Sequence, residues 1–186
     1  MNLAIALVRL VHIFSGVFWA GSAFVLARFV EPAAAATQPE SNKFMQQMMG
    51  PSGYVLAQGI AGSLTVLAGL TLYWIDSGGL QPGWITTPTG LGFTVGGIAA
   101  LIAIYIGLFV SRTTALSMSA LGREMQAAGK APTPEQVAKM RAFQDRLAQA
   151  SIWNAILLAI TVATMATAPI VYKRAVEQGV GTWLSL

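Results

Sequence analysis

The chain has 186 residues, of which 55% are apolar and only 10% charged, and its mean hydropathy is +0.62. Soluble domains carry about a quarter charged residues, so this composition excludes an ordinary water-soluble globule. The net charge of +4 marks the cytoplasmic ends of spanning helices in so apolar a chain, and no nucleic-acid partner is expected.

Charges are absent from residues 10–27, 44–75, 77–111 and 147–172. Each stretch can hold the ~20-residue helix that a bilayer requires. The expected fold is all-α, a single transmembrane domain over 1–186 built as an integral membrane four-helix bundle. Its spans lie at about 3–30, 53–75, 90–112 and 147–172. There is no cysteine, which removes disulfides, thiolate zinc sites, iron–sulfur clusters and covalent C-x-x-C-H haem attachment. The one histidine, His12, excludes H-E-x-x-H sites and a bis-histidine haem built within one chain.

The first apolar stretch, Leu3 to Val30, is too long for a signal-peptide core and lacks a basic leader, so it is expected to be a retained helix ended by Glu31-Pro32. Residues 41–50 place Phe44, Met45, Met48 and Met49 on one face, opposite Gln46 and Gln47, with Gly50-Pro51 as a stop. That is an interfacial helix. In the second span Gly59, Gly62, Ser63 and Gly69, and in the third Gly92, Gly96, Gly97 and Gly107, are the small residues that let helix backbones approach in lipid. Between these spans runs a Pro/Gly/Thr-rich loop with Trp84 at interfacial depth. The third helix is expected to run past Arg112 to Ala128, with Gly129 as its cap.

Thr133-Pro134-Glu135-Gln136 opens the fourth helix with an N-cap, a proline in the first turn and a capping-box glutamine; Glu135/Lys139 and Arg141/Asp145 are spaced as i,i+4 pairs. This helix is expected to reach about Tyr172, nearly 60 Å at 1.5 Å per residue, so residues 113–146 should form a helical hairpin projecting from a ~30 Å core. Eight of the basic residues (Arg28, Lys43, Arg112, Arg123, Lys130, Lys139, Arg141 and Arg146) fall on the hairpin side, against Arg9, Lys173 and Arg174 on the other. The hairpin is therefore expected in the cytoplasm and both termini outside it, as in a multi-pass protein of a bacterial-type inner membrane.

An ionisable side chain inside a span is costly unless it faces the bundle, and His12, with Arg9 one turn toward the surface, is the pair that needs explaining. Arg9, His12, Gly16, Trp19 and Ala23 follow i, i+3, i+7, i+10 and i+14 and share one helix face. A ligand on His12 would meet a gap at Gly16, a flat wall at Trp19 and a cation at Arg9. Those features suit a haem, whose iron takes an imidazole and whose propionate pairs with arginine. The same residues also suit plain packing: an imidazole bonded to a carbonyl across the bundle, a packed Trp19 and a helix contact at Gly16-x3-Ala20.

Arg9-Leu10-Val11-His12-Ile13, then Phe18-Trp19-Ala20-Gly21 and Arg28, resembles the first helix of the four-helix membrane superfamily that includes the HemJ-type protoporphyrinogen oxidases and the CopD copper-resistance domain. The resemblance continues more loosely through Ser63 to Leu70 and at Ala168-Pro169, and it covers all four spans in layout. It implies that His12 ligates haem b. The functional lysine of the HemJ pattern, near the start of helix three, has no counterpart here, where no lysine occurs between 44 and 129 and Thr94 stands in that region. The expectation carried forward is haem binding rather than porphyrinogen oxidation.

Met165, comparable in depth to His12, is a candidate sixth ligand, with an open site or a haem shared by two chains as alternatives. Tyr73, Tyr105 and Asn154 are polar groups that could line the bundle. The M-x-x-M-M cluster of Met45, Met48 and Met49 suits Cu(I). The leading expectation is a b-type haem-binding redox or electron-transfer protein with His12 as axial and metal ligand and Arg9, Gly16, Trp19 and Met165 around the cofactor. The alternatives are a non-catalytic membrane subunit or assembly partner in a homo-oligomer or larger complex, and a copper-handling membrane protein.

Overall fold

The computed structural model describes residues 2–38, 40–50 and 53–177, with side chains described as far as 170. Pro51 of the expected stop, and the side chains of Lys173 and Arg174 in the charge balance, lie outside that description. Every described element is helical. Four helices are long and apolar enough to cross a membrane: Leu3–Ala36, Tyr54–Asp76, Pro88–Ala128 and Pro134–Ile170.

Helix α1 (Leu3–Val25) starts where Asn2 Oδ1 accepts the Ala4 amide at 3.1 Å. It does not stop at Glu31-Pro32. A π-helical turn over Leu26–Val30 carries it into α2 (Glu31–Ala36). Proline has no N–H to return to the carbonyl four residues back, and it is tolerated in the first turn of a helix. The widened turn fits that need: the Glu31 amide bonds the Leu26 carbonyl, five residues earlier.

The stretch expected at the interface forms α3 (Ser41–Met48), two residues shorter than expected. Helix α4 (Tyr54–Asp76) leads through left-handed Gly78 and Gly79 to the short α5 (Pro82–Ile85), an element hidden in the Pro/Gly/Thr-rich loop. Trp84 on α5 meets Tyr73 edge-on at 5.4 Å and stacks on Phe93 at 6.3 Å, which seals that end of the bundle.

Helix α6 (Pro88–Tyr105) also passes through a π-helical segment, Ile106–Ser111, into α7 (Arg112–Ala128). Gly129 takes the left-handed cap at φ 59°, as expected of a C-terminal glycine. Helix α8 (Pro134–Glu177) begins with a reciprocal capping box: Thr133 Oγ1 accepts the Gln136 amide at 3.2 Å and Gln136 Oε1 accepts the Thr133 amide at 3.0 Å. It is 44 residues long, longer than expected, and Pro169 lies inside it. The expected Glu135/Lys139 and Arg141/Asp145 pairs do not close; among the described residues the one ion pair within 4.0 Å is Arg9–Asp76. Exposed charges on a helix surface gain too little from pairing to hold two long side chains in place.

Helix α1 packs chiefly on α4 and α6 chiefly on α8, and the two pairs meet in a core of Trp19, Ala23, Ala61, Ala100, Ala103 and Leu158. Phe14 is 73% exposed and Val17 68%, so the outward face is the apolar one and the inward face the small one. That inversion is the mark of a bundle made for lipid, where close backbone packing replaces hydrophobic burial. A Cβ on Gly62 would come within 3.0 Å of Trp19, and one on Gly92 within 2.6 Å of the Ala168 Cβ. Gly59 and Gly97 differ from expectation: a Cβ there would meet nothing within 4 Å among the described residues, so they do not serve the intramolecular contacts.

Candidate functional site

The polar face of α1 lies in the α1–α4 seam. Because the two helices are antiparallel, the pairs run in opposite order along them: Arg9 with Asp76, His12 with Gly69 and Thr65, Gly16 with Thr65, and Trp19 with Gly62. Arg9 and Asp76 approach at 3.3 Å with side chains 47% and 35% exposed, near the end of the bundle. One step deeper, His12 Nδ1 donates to the Thr65 carbonyl at 2.8 Å. That carbonyl belongs to a continuous helix and would ordinarily be shielded by the side chain four residues on. Residue 69 is glycine; a Cβ there would stand 2.8 Å from His12 Cε1 and 3.1 Å from Nδ1. The missing methyl is what admits the ring to the carbonyl.

The bond has a chemical consequence. With its proton held on Nδ1, a neutral imidazole presents Nε2 as a lone pair, and among the described residues Nε2 has no hydrogen-bond partner. His12 is half-buried. Below it, Thr65 Oγ1 donates to the Ala61 carbonyl at 2.7 Å and lies 2.9 Å from Ser15 Oγ, so the polar groups continue down the seam as hydroxyls.

The remaining residues expected around the cofactor are placed as follows. Gly16 abuts Thr65, whose Cγ2 would lie 3.4 Å from an added Cβ. Trp19 is 4% exposed and packs on Gly62 within the core cluster. Met165 lies in the α6–α8 seam, its Cγ 2.9 Å from the position of a Cβ on Gly96. The structure thus brings Arg9, His12, Gly16 and Trp19 together along α4 and puts Met165 against α6.

Tyr73 bonds Thr94 at 2.6 Å, joining α4 to α6, whereas Tyr105 is 60% exposed beside Phe109. Asn154 Oδ1 and Gln58 Oε1 are buried with no hydrogen-bond partner among the described residues. Met45, Met48 and Met49 are half-buried at the end of α3. Sequence reasoning missed two partners of the α1 face, Asp76 and Thr65, and read Gly69 as a close-contact position without its neighbour His12. The available signal was Thr65-x3-Gly69, a carbonyl with a bare position one turn later, but only a known pairing of helices gives it meaning.

Comparison with family models, with curated proteins and with solved structures finds no match.

Proposed function

We propose that this chain is a membrane redox protein that binds a b-type haem through Nε2 of His12. The observation that carries the reading is the 2.8 Å bond from Nδ1 to the Thr65 carbonyl. Ligating histidines characteristically donate their other ring N–H to a carbonyl or carboxylate, which sets the tautomer and the ring's orientation. The donor set limits what could be held here to a group that needs a single side-chain ligand. Among the described residues no three His, Cys, Asp or Glu side chains come together to hold a bare metal ion. A macrocyclic iron brings four nitrogen donors of its own and needs as little as one axial ligand. The first-helix resemblance to the HemJ and CopD superfamily points the same way.

The fit lies with the imidazole and the guanidinium. Arg9 keeps N–H donors beyond its single contact with Asp76, enough to pair with a propionate. The space at Gly16 and the face of Trp19 are taken up by Thr65 and Gly62, so the group would be held from the half-exposed edge of His12. When bound, haem supplies reversible one-electron chemistry at iron, while the chain holds the ligand's tautomer and balances charge at the membrane surface.

An optical spectrum of the full chain, purified in mild detergent from haem-replete cells, tests the proposal. A Soret band with reducible α and β bands, lost in His12→Ala, is expected; a colourless folded preparation refutes it.

A second reading is favoured by the close fit of the α1–α4 seam: a non-catalytic membrane subunit in which the Thr65 bond is the whole role of His12. Gly59 and Gly97, where an added Cβ would meet nothing among the described residues, would then offer faces to helices of a partner. That reading predicts no haem and a complex recoverable from native membranes.

For location, the excess of Lys and Arg on the hairpin side supports a cytoplasmic hairpin and extracytoplasmic termini in a bacterial-type inner membrane. Labelling of a cysteine at Lys139 by an impermeant reagent applied from outside would reverse that orientation.

A further inference from the structure

A shallow, open groove of about 280 Å³ lies where the π-helical segment Ile106–Ser111 runs beside α8. Its lining is Ile106, Val110, Arg146, Gln149, Ala150 and Trp153. The α8 members follow i, i+3, i+4 and i+7, one face of the helix, and descend from a cation through an amide to an indole. From Arg146 to Trp153 is about 10 Å of helix at 1.5 Å per residue, the span of a phosphoglycerol headgroup and the first carbons of its chains.

The polarity runs in the matching order. Arg146 stands at the start of the uncharged stretch 147–172, is exposed, and makes no ion pair among the described residues. Among the described residues no acidic side chain lines the groove. Arg112 begins α7 two residues after Val110, adding a second cation at the same end of the span. At the other end Trp153 is 59% exposed within an apolar helix, a position whose surroundings are lipid, and Ile106 and Val110 face it as an apolar wall. Within the same π-helical segment Gly107 sits toward Asn154 of α8, while Ile106 and Val110 form the wall.

We propose that this groove is a binding site for an anionic glycerophospholipid from the leaflet on the hairpin side, its phosphate held by Arg146 and Gln149 and its upper acyl chain laid along Trp153, Val110 and Ile106. The occupant is a lipid rather than a soluble anion because the lower half of the groove is apolar and open at membrane depth. It is a phosphate-bearing, negatively charged lipid because the lining offers donors and positive charge and no carboxylate.

The test uses the full chain reconstituted in vesicles of phosphatidylcholine, with brominated phosphatidylglycerol or brominated phosphatidylcholine added at equal mole fraction and matched ionic strength. Tryptophan quenching is read as the difference between the native chain and Trp153→Phe. The Trp153 signal is expected to be quenched at about fivefold lower mole fraction by the anionic lipid, the effect one interfacial basic side chain supplies. Arg146→Gln should erase that preference, Arg146→Lys should retain part of it, and Arg123→Gln, out on the hairpin, should leave it unchanged. Equal quenching by the two lipids, or a preference that survives Arg146→Gln in a chain with native circular dichroism, overturns the proposal. So does loss of the preference on adding inorganic phosphate at constant ionic strength, which would assign the basic end to a free anion.

Discussion

The two helix pairs solve one packing problem with different chemistry. In the α6–α8 seam, Gly92 meets Ala168, Gly96 meets Thr164 and Met165, and hydroxyls reach backbone carbonyls across the gap: Thr161 to Gly96 at 3.1 Å and Thr89 to Ala168 at 3.3 Å. In the α1–α4 seam, Gly62 and Gly69 play the same role, but the donor that crosses to a carbonyl is an imidazole and an ion pair closes the end. A hydroxyl bonded to a carbonyl is fully used as a donor. An imidazole in the same position keeps a second nitrogen, the one through which the proposed haem would be held.

The contrast can be probed by substitution. The largest effect is expected from Gly92→Val: with an added Cβ already 2.6 Å from Ala168, overpacking should cost about 3 kcal/mol in a mixed-micelle unfolding titration. Gly69→Ala comes next, at about 1–2 kcal/mol, because the new methyl displaces the His12 ring. It should also alter any spectrum that depends on His12, whereas Gly92→Val should alter stability alone. Thr161→Val removes one interhelical hydroxyl bond and is expected to cost about 0.6 kcal/mol. Asp76→Asn should be smallest, under about 0.5 kcal/mol, since both partners of that pair are substantially exposed. If Asp76→Asn proved more damaging than Gly92→Val, electrostatics rather than close packing would hold the bundle.

Much of this architecture is legible before any coordinates. Uncharged stretches locate the four long apolar helices, and Gly129 and the Thr133/Gln136 box locate the turn between α7 and α8, because these signals are local and physically complete. The continuous face through Arg9, His12, Gly16 and Trp19 is legible for the same reason. What faces it is not. Asp76 reads as a helix end, yet it lies 67 residues from Arg9 in sequence and beside it in space. The small residues divide in the same way, since Gly62 and Gly97 look alike in sequence and only the packing of neighbours makes one a contact and the other bare. The two π-helical segments are also invisible to a periodicity argument, which assumes one register throughout a helix; Glu31-Pro32 reads as the end of the first helix because nothing in the sequence announces the widened turn before it.

Whether the free nitrogen of His12 is a ligand can be asked with the ring removed and then returned. His12→Gly should purify without a Soret band, and adding imidazole together with haem should restore a reducible b-type spectrum, because the added ring can occupy the space beside Gly69 and the Thr65 carbonyl. A native chain that never takes up haem, or a variant whose spectrum is indifferent to both the substitution and the added imidazole, would contradict the account.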